Sequence, residues 1–133
     1  VTPAQKLKHM ILVKAAEFRG EPLAAEVTAE VTAENIDALY DEAYENDDGH
    51  LQDARSEIRC GGEETGLPCD WSRHYESQAV AIQALDGSWI GWTYWYGGGK
   101  HGEPEAIEWI DNAYALACTE EQKTVTVRTF EKA

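Results

Sequence analysis

Residues able to do chemistry gather in two stretches of the chain, 60–74 and 97–108. In the first, Asp70, Ser72 and His74 are the residue types of a nucleophilic triad. Working triads assemble from separate segments and are defined by geometry, so closeness in sequence gives them no catalytic role. Cys60, Cys69 and His74 offer soft metal ligands, but no Cys-x-x-Cys pair is present and structural zinc prefers shorter spacing; no metal is expected. In the second stretch, Gly97-Gly98-Gly99-Lys100-His101-Gly102 stands in the position of a phosphate-binding loop. Tyr94 occupies the place of the first glycine of that motif, and His101 that of its Ser or Thr. Glu103 and Glu105 would also repel an anion, so the loop reads as a sharply turning connection. His101 beside Glu103, Glu105 or Glu108 is an acid–base pair that no motif singles out. No catalytic residue and no cofactor are assigned.

Charge gives a sharper signal. Of the formal net −14, residues 20–70 hold fifteen Asp and Glu against Arg55 and Arg59 alone, a net of −13. Residues 1–19 carry +3 and residues 71–133 carry −4. Within the acidic stretch Glu34, Asp37, Asp41 and Glu45 recur at helical steps, with Glu42 beside them; Glu26 and Glu30 extend the row if the helix continues upstream. Like charges at i, i+4 destabilise a helix by a few tenths of a kcal/mol each. The row is either a solvated face or an imitation of a phosphate backbone. Direct nucleic-acid binding is excluded by the charge balance, because that affinity rests on Lys and Arg displacing counterions. Anionic membranes are disfavoured for the same reason. The expected partner is a basic protein surface.

Aromatic rings supply a second candidate. Trp89, Trp92, Tyr94, Trp95 and Tyr96 lie on one predicted strand, and alternation sends Trp89 and Trp95 to one face and the other three to the opposite face. A ligand site lined by Trp92, Tyr94, His74, Lys100 and His101 is the alternative to the acidic surface; core packing is the simpler use of the rings.

The elements that must position these residues follow from periodicity. Pro3 after Thr2 starts a helix over 3–18, with Leu7, Met10, Ile11, Ala15 and Phe18 at three- and four-residue steps. Residues 23–31 fit helix or strand. Thr32 is placed to cap a helix over 33–46, and a shorter helix over 50–60 ends at Gly61-Gly62. Residues 61–73 read as a long loop. Residues 75–85 and 88–96 form a predicted hairpin turning at Asp86-Gly87, with Leu85 opposite Ser88, Ala81 opposite Trp92 and Ala79 opposite Tyr94. A helix over 103–118 and a last strand over 123–130 complete a ββαβ half. The fold class is α+β: a helical, acidic half (1–62) packed on an antiparallel sheet of at least three strands (63–133), in one domain.

The 133 residues are 43% hydrophobic with five Trp and six Tyr, too apolar for disorder. No membrane span or signal peptide is read, and three cysteines suit a reducing cytoplasm. The block Cys69-Asp70-Trp71-Ser72-Arg73-His74-Tyr75-Glu76, and above all Trp92 to Pro104 (WTYWYGGGKHGEP), resembles small uncharacterised proteins of proteobacteria and their phages. That resemblance implies an accessory role in a phage or mobile element and transfers no catalytic residue. The expectation is a non-enzymatic binding protein, an acidic inhibitor or DNA mimic that occupies a nucleic-acid-binding surface of a host defence protein. The alternative is a small ligand-binding or enzymatic domain at the aromatic hairpin and the Gly97–Gly102 loop. The oligomeric state stays open.

Overall fold

A computed structural model describes residues 1–20, 32–47 and 49–133. The segment 23–31, with Glu26 and Glu30, lies outside the described residues. Helices occupy the first half and a four-stranded antiparallel sheet the second, an α+β arrangement.

Helix α1 (Pro3–Phe18) starts as its sequence dictates. Thr2 and Gln5 form a reciprocal capping box, and Pro3 stands in the first turn, where its missing N–H costs nothing. Leu7, Ile11 and Ala15 are fully buried. Helix α2 (Ile36–Glu45) begins later than the predicted residue 33. Thr32 is not its side-chain cap: the Asn35 side chain turns back to accept from the Thr32 amide, so residues 33–35 form a turn. Helix α3 (His50–Cys60) buries Leu51, Ala54 and Ile58 as expected. Its start is held by Asp47, whose carboxylate accepts from the amides of Gly49, Leu51 and Gln52.

The sheet runs in the order β1 (Glu63–Glu64), β2 (Glu76–Gln83), β3 (Trp89–Tyr96), β4 (Tyr114–Leu116). The predicted hairpin forms, but its register differs by one residue. Ala81 pairs with Gly91, Val80 with Trp92 and Gln78 with Tyr94, so the loop is Leu85-Asp86-Gly87. The Gly87 amide bonds the Ala84 carbonyl and the Ala84 amide bonds the Ser88 carbonyl, with Gly87 at φ 87°. This is a type I turn closed by a left-handed glycine, the usual three-residue solution.

Three other expectations are overturned. Residues 61–73 contribute β1, which pairs with Val80 and Ala81. Residues 103–118 are not a helix: a 3₁₀ turn (Pro104–Ala106) is followed by an irregular stretch and by β4. Trp109 and Ile110 there are both buried, because an irregular backbone can drop two successive side chains into the core. Residues 123–130 form no strand; they are exposed, without regular structure, and pair with no strand among the described residues. The sheet therefore gains its outer strands from segments that periodicity passed over.

One core holds the layers together. Leu7 and Ile11 from α1 and Leu51, Ala54 and Ile58 from α3 meet Val80, Ile90, Trp92, Trp109 and Ile110. The expected division of the β3 rings holds. Ile90 and Trp92 face the helices, with Trp92 against Trp109 at 5.4 Å between ring centroids. On the opposite face the Tyr114 ring lies over Gly91, and Trp89 is half-buried. A salt link joins α1 to the hairpin loop, Lys6 Nζ standing 3.0 Å from the Asp86 carboxylate and 2.7 Å from the Ser88 hydroxyl.

Candidate interaction surface

Helices α2 and α3 present the acidic stretch to solvent. Glu34, Asp37, Asp41, Glu42 and Glu45 are all exposed, on the side of α2 away from buried Ile36 and Tyr40. Asp37 stands apart from the rest. Lys8 Nζ lies 2.8 Å from its carboxylate, and Gln5 donates to it at 3.2 Å, so α1 compensates this charge. These hydrogen bonds, from Lys8 first and then Gln5, hold the Asp37 carboxyl below its usual range. The other lysines of α1 are spent elsewhere: Lys6 meets Asp86, and Lys14 meets Glu57 at 3.3 Å and Glu17. No described ion pair engages Glu34, Asp41, Glu42 or Glu45.

The two bases inside the acidic stretch both lie against aromatic rings. Arg59 is only 9% exposed: its guanidinium lies 4.8 Å from the Tyr94 ring centroid and donates to the Trp95 carbonyl. Arg55 is half-buried with its guanidinium 5.5 Å from the Tyr44 ring centroid. Each arginine thus sits against an aromatic face rather than against the surface carboxylates, a contact worth about 0.5–2 kcal/mol. Residues 32–64 carry eleven Asp and Glu against these two arginines, a net of −9. Leu39 and Tyr44 of α2 are exposed among the carboxylates, which gives the surface apolar anchors that charge counting did not reveal.

Between α2, α3 and the 105–111 segment runs a cleft of about 230 Å³ lined by Lys8, Tyr40, Tyr44, Arg55, Glu108 and Asp111, among others. Burial pushes the Tyr40 phenol up to about 12, so it remains protonated. Burial, then the hydrogen bond with Asp111, raises the Glu108 carboxyl. These groups were not singled out from the sequence; only the fold brings them together.

The alternative site is arranged differently from its expected form. Trp92 is fully buried between sheet and helices, so its ring has no surface to offer a ligand. Tyr94 stacks on Tyr96 at 5.4 Å, under Arg59, and its hydroxyl bonds Cys60 Sγ at 3.8 Å. That bond to Cys60 first, and then burial, raises the Tyr94 phenol. His74 is exposed beyond the end of β2, and Lys100 is exposed in the 3₁₀ turn Gly99–His101; the side chain of His101 lies outside the description. The Tyr75 ring lies against Gly98, which brings the segment at 74–76 to the glycine loop, but Trp92 does not join them. Gly97, Gly98 and Gly99 all take positive φ (74°, 88° and 50°), the sharp connection that their run implies.

Cys60, Cys69 and Cys118 are free thiols, and among the described residues no three His, Cys, Asp or Glu side chains converge as a metal site requires. Nor is any helix among the described residues long and apolar enough to cross a membrane. No protein-family model matches the chain, and no curated protein or solved structure is detectably similar to it.

Proposed function

We propose that the protein is a non-enzymatic binding protein whose α2 surface occupies a basic groove, in the manner of a DNA mimic. The occupied surface is the nucleic-acid-binding face of a partner protein. The carrying observation is the placement of Arg55 and Arg59 against aromatic rings, with Glu34, Asp41, Glu42 and Glu45 exposed and engaged in no described ion pair. An acidic helix kept only for solubility gains from interspersed lysines at i, i+4; here the available cations stabilise aromatic rings instead. Asp37, paired with Lys8, belongs to the fold more than to the surface. Exposed Leu39 and Tyr44 supply contacts of the kind that fix orientation once charge has steered the encounter. A phage or mobile-element setting, and a host defence protein as the target, rest on the resemblance of the Trp92–Pro104 block alone.

The test uses one variant and one competition. Glu34→Gln, Asp41→Asn, Glu42→Gln and Glu45→Gln are combined, and capture of partners from a bacterial lysate is compared with the wild type at low and high salt. The captured protein is then challenged with duplex DNA. The expected result is loss of capture in the variant, weakening of wild-type capture as salt screens charges over about 8–10 Å, and mutual displacement by DNA. A folded variant that captures the same partner equally well, or a partner whose DNA binding is untouched, refutes the reading.

A further inference from the structure

The segment from Ala117 to Ala133 stands apart: every residue is exposed, and among the described residues no strand pairs with it. Val125, Val127 and Phe130 are 75%, 84% and 86% exposed. Yet Thr124-Val125-Thr126-Val127-Arg128-Thr129-Phe130 is dense in the β-branched and aromatic residues that favour strands. In an extended conformation such a segment presents a row of N–H and C=O groups free to pair, a template for another sheet.

Two features of the body fit such a strand. Among the described residues strand β1 is an outer strand of the sheet, paired only with β2, and both its residues are exposed glutamates, Glu63 and Glu64. Beside it, a cleft of about 290 Å³ crosses the sheet face opposite the helices. Its lining includes Ala81, Trp89 and Leu116, with Glu63 and Leu67 on one side and the root of the arm, Ala117 to Thr119, on the other. Charge separates arm from body. Residues 122–133 carry Lys123, Arg128 and Lys132 against Glu131, a net of +2, whereas residues 1–121 carry −16.

We infer that the arm is an exchanged strand: residues 123–130 of one chain pair along the free edge of β1 in a second copy, and the second copy returns the same contact. The basic arm, with Lys123 and Arg128, then lies along an edge that carries Glu63 and Glu64, and Val125 and Val127, two residues apart on one side of the strand, cover the Leu67 side of the cleft. The arm departs from the same cleft that receives its counterpart, so a two-fold axis there closes both contacts at once, as an isologous interface requires. The occupant is a second copy because the arm and the edge complement each other in charge, hydrogen bonding and apolar surface, and both belong to this chain.

Light scattering coupled to gel filtration, over a concentration series, reads the result directly. The wild type is expected at twice the mass of one chain. Val125→Lys with Val127→Lys is expected at the single-chain mass with an unchanged circular dichroism spectrum, since both side chains are largely exposed and belong to no core cluster. Two charge reversals then locate the edge. Glu63→Lys with Glu64→Lys in one chain, and Lys123→Glu with Arg128→Glu in another, should each give single chains. An equimolar mixture of the two should recover the double mass, because each arm now meets an edge of opposite sign. Protection from hydrogen exchange of alternate amides within residues 124–129, those that face the edge, should appear and vanish with the double mass. A wild type that stays at single-chain mass throughout, a dimer that survives the valine substitutions, or a mixture that does not reassociate overturns the inference.

Discussion

Replacing Trp92 by Ala separates its two possible uses, core packing and ligand contact. The ring is fully buried, lies opposite Val80 in the register, and packs on Trp109 at 5.4 Å and 48°. Its far edge reaches the backbone of Gly62, where even a Cβ would stand 3.1 Å from the ring. Nothing nearby can collapse freely into the space it would leave, so the cost falls in the range of about 3–5 kcal/mol for truncating a buried aromatic. Against a total stability of about 5–15 kcal/mol for a small domain, that is about a fifth or more. At this length it corresponds to a melting temperature lower by roughly 10–20 °C. Urea unfolding should be followed by far-ultraviolet circular dichroism, because with five tryptophans fluorescence would not report one site. A double-mutant cycle of Trp92→Phe with Trp109→Phe should return a coupling of about 0.5–1.5 kcal/mol, the share due to ring–ring geometry. A loss below about 1 kcal/mol for Trp92→Ala, under the range for a buried ring, would refute the placement of this ring in the core.

Two further outcomes follow from particular hydrogen bonds. Asp47→Ala should cost about 1–2 kcal/mol, visible as a lower urea midpoint, because three amides at the start of α3 lose their acceptor; Asp47→Asn should recover most of it. Asp86 accepts from the Ser88 hydroxyl and amide and faces Lys6, contacts that hold its carboxyl well below the usual range. A depressed folded-state value means stability that is present above the unfolded value of 3.8 and lost as pH falls through the folded one. The stability gap between wild type and Asp86→Asn should therefore be full at neutral pH and close only in strong acid; a gap that grows on acidification contradicts the pairing.

Elements whose signals are local were legible in the sequence. Thr2, Pro3 and the Leu7–Ile11–Ala15 spacing mark α1, and Leu51, Ala54 and Ile58 mark the inward face of α3. The hairpin was legible in position but not in register, because Asp86-Gly87 serves equally a two-residue loop and a three-residue loop that ends in a left-handed glycine. The 103–118 region misled for a different reason. Ile107, Ile110 and Tyr114 have helical spacing, yet Trp109 and Ile110 are buried side by side and Tyr114 is drawn into β4 by pairing with Gly91. A three-residue strand has too few residues to show a period. Residues 123–130 do have strand chemistry, but among the described residues no edge of their own chain receives them. At the surface, the exposure of Asp41, Glu42 and Glu45 was readable from helical phase, whereas Glu34 is exposed in the turn before α2. The diversion of Asp37 to Lys8, and of Arg55 and Arg59 to aromatic rings, depends on how helices cross and has no signature along the chain.

The sheet has a long middle and short margins, and this bears on how the molecule comes together. Strands β2 and β3 pair over eight positions across a three-residue loop, whereas β1 and β4 contribute two and three pairs through connections that close much later. Hairpins with short loops form in about 1–10 μs, well before contacts between distant segments are made. The central hairpin is thus the natural platform on which α1 and α3 condense, with Trp92 as the first large surface they can share. The same asymmetry orders the reverse process. In hydrogen exchange under native conditions, the amides linking β2 to β3 should be the last of the sheet to open, and those of β1 and β4 should exchange through small local fluctuations that leave the hairpin intact.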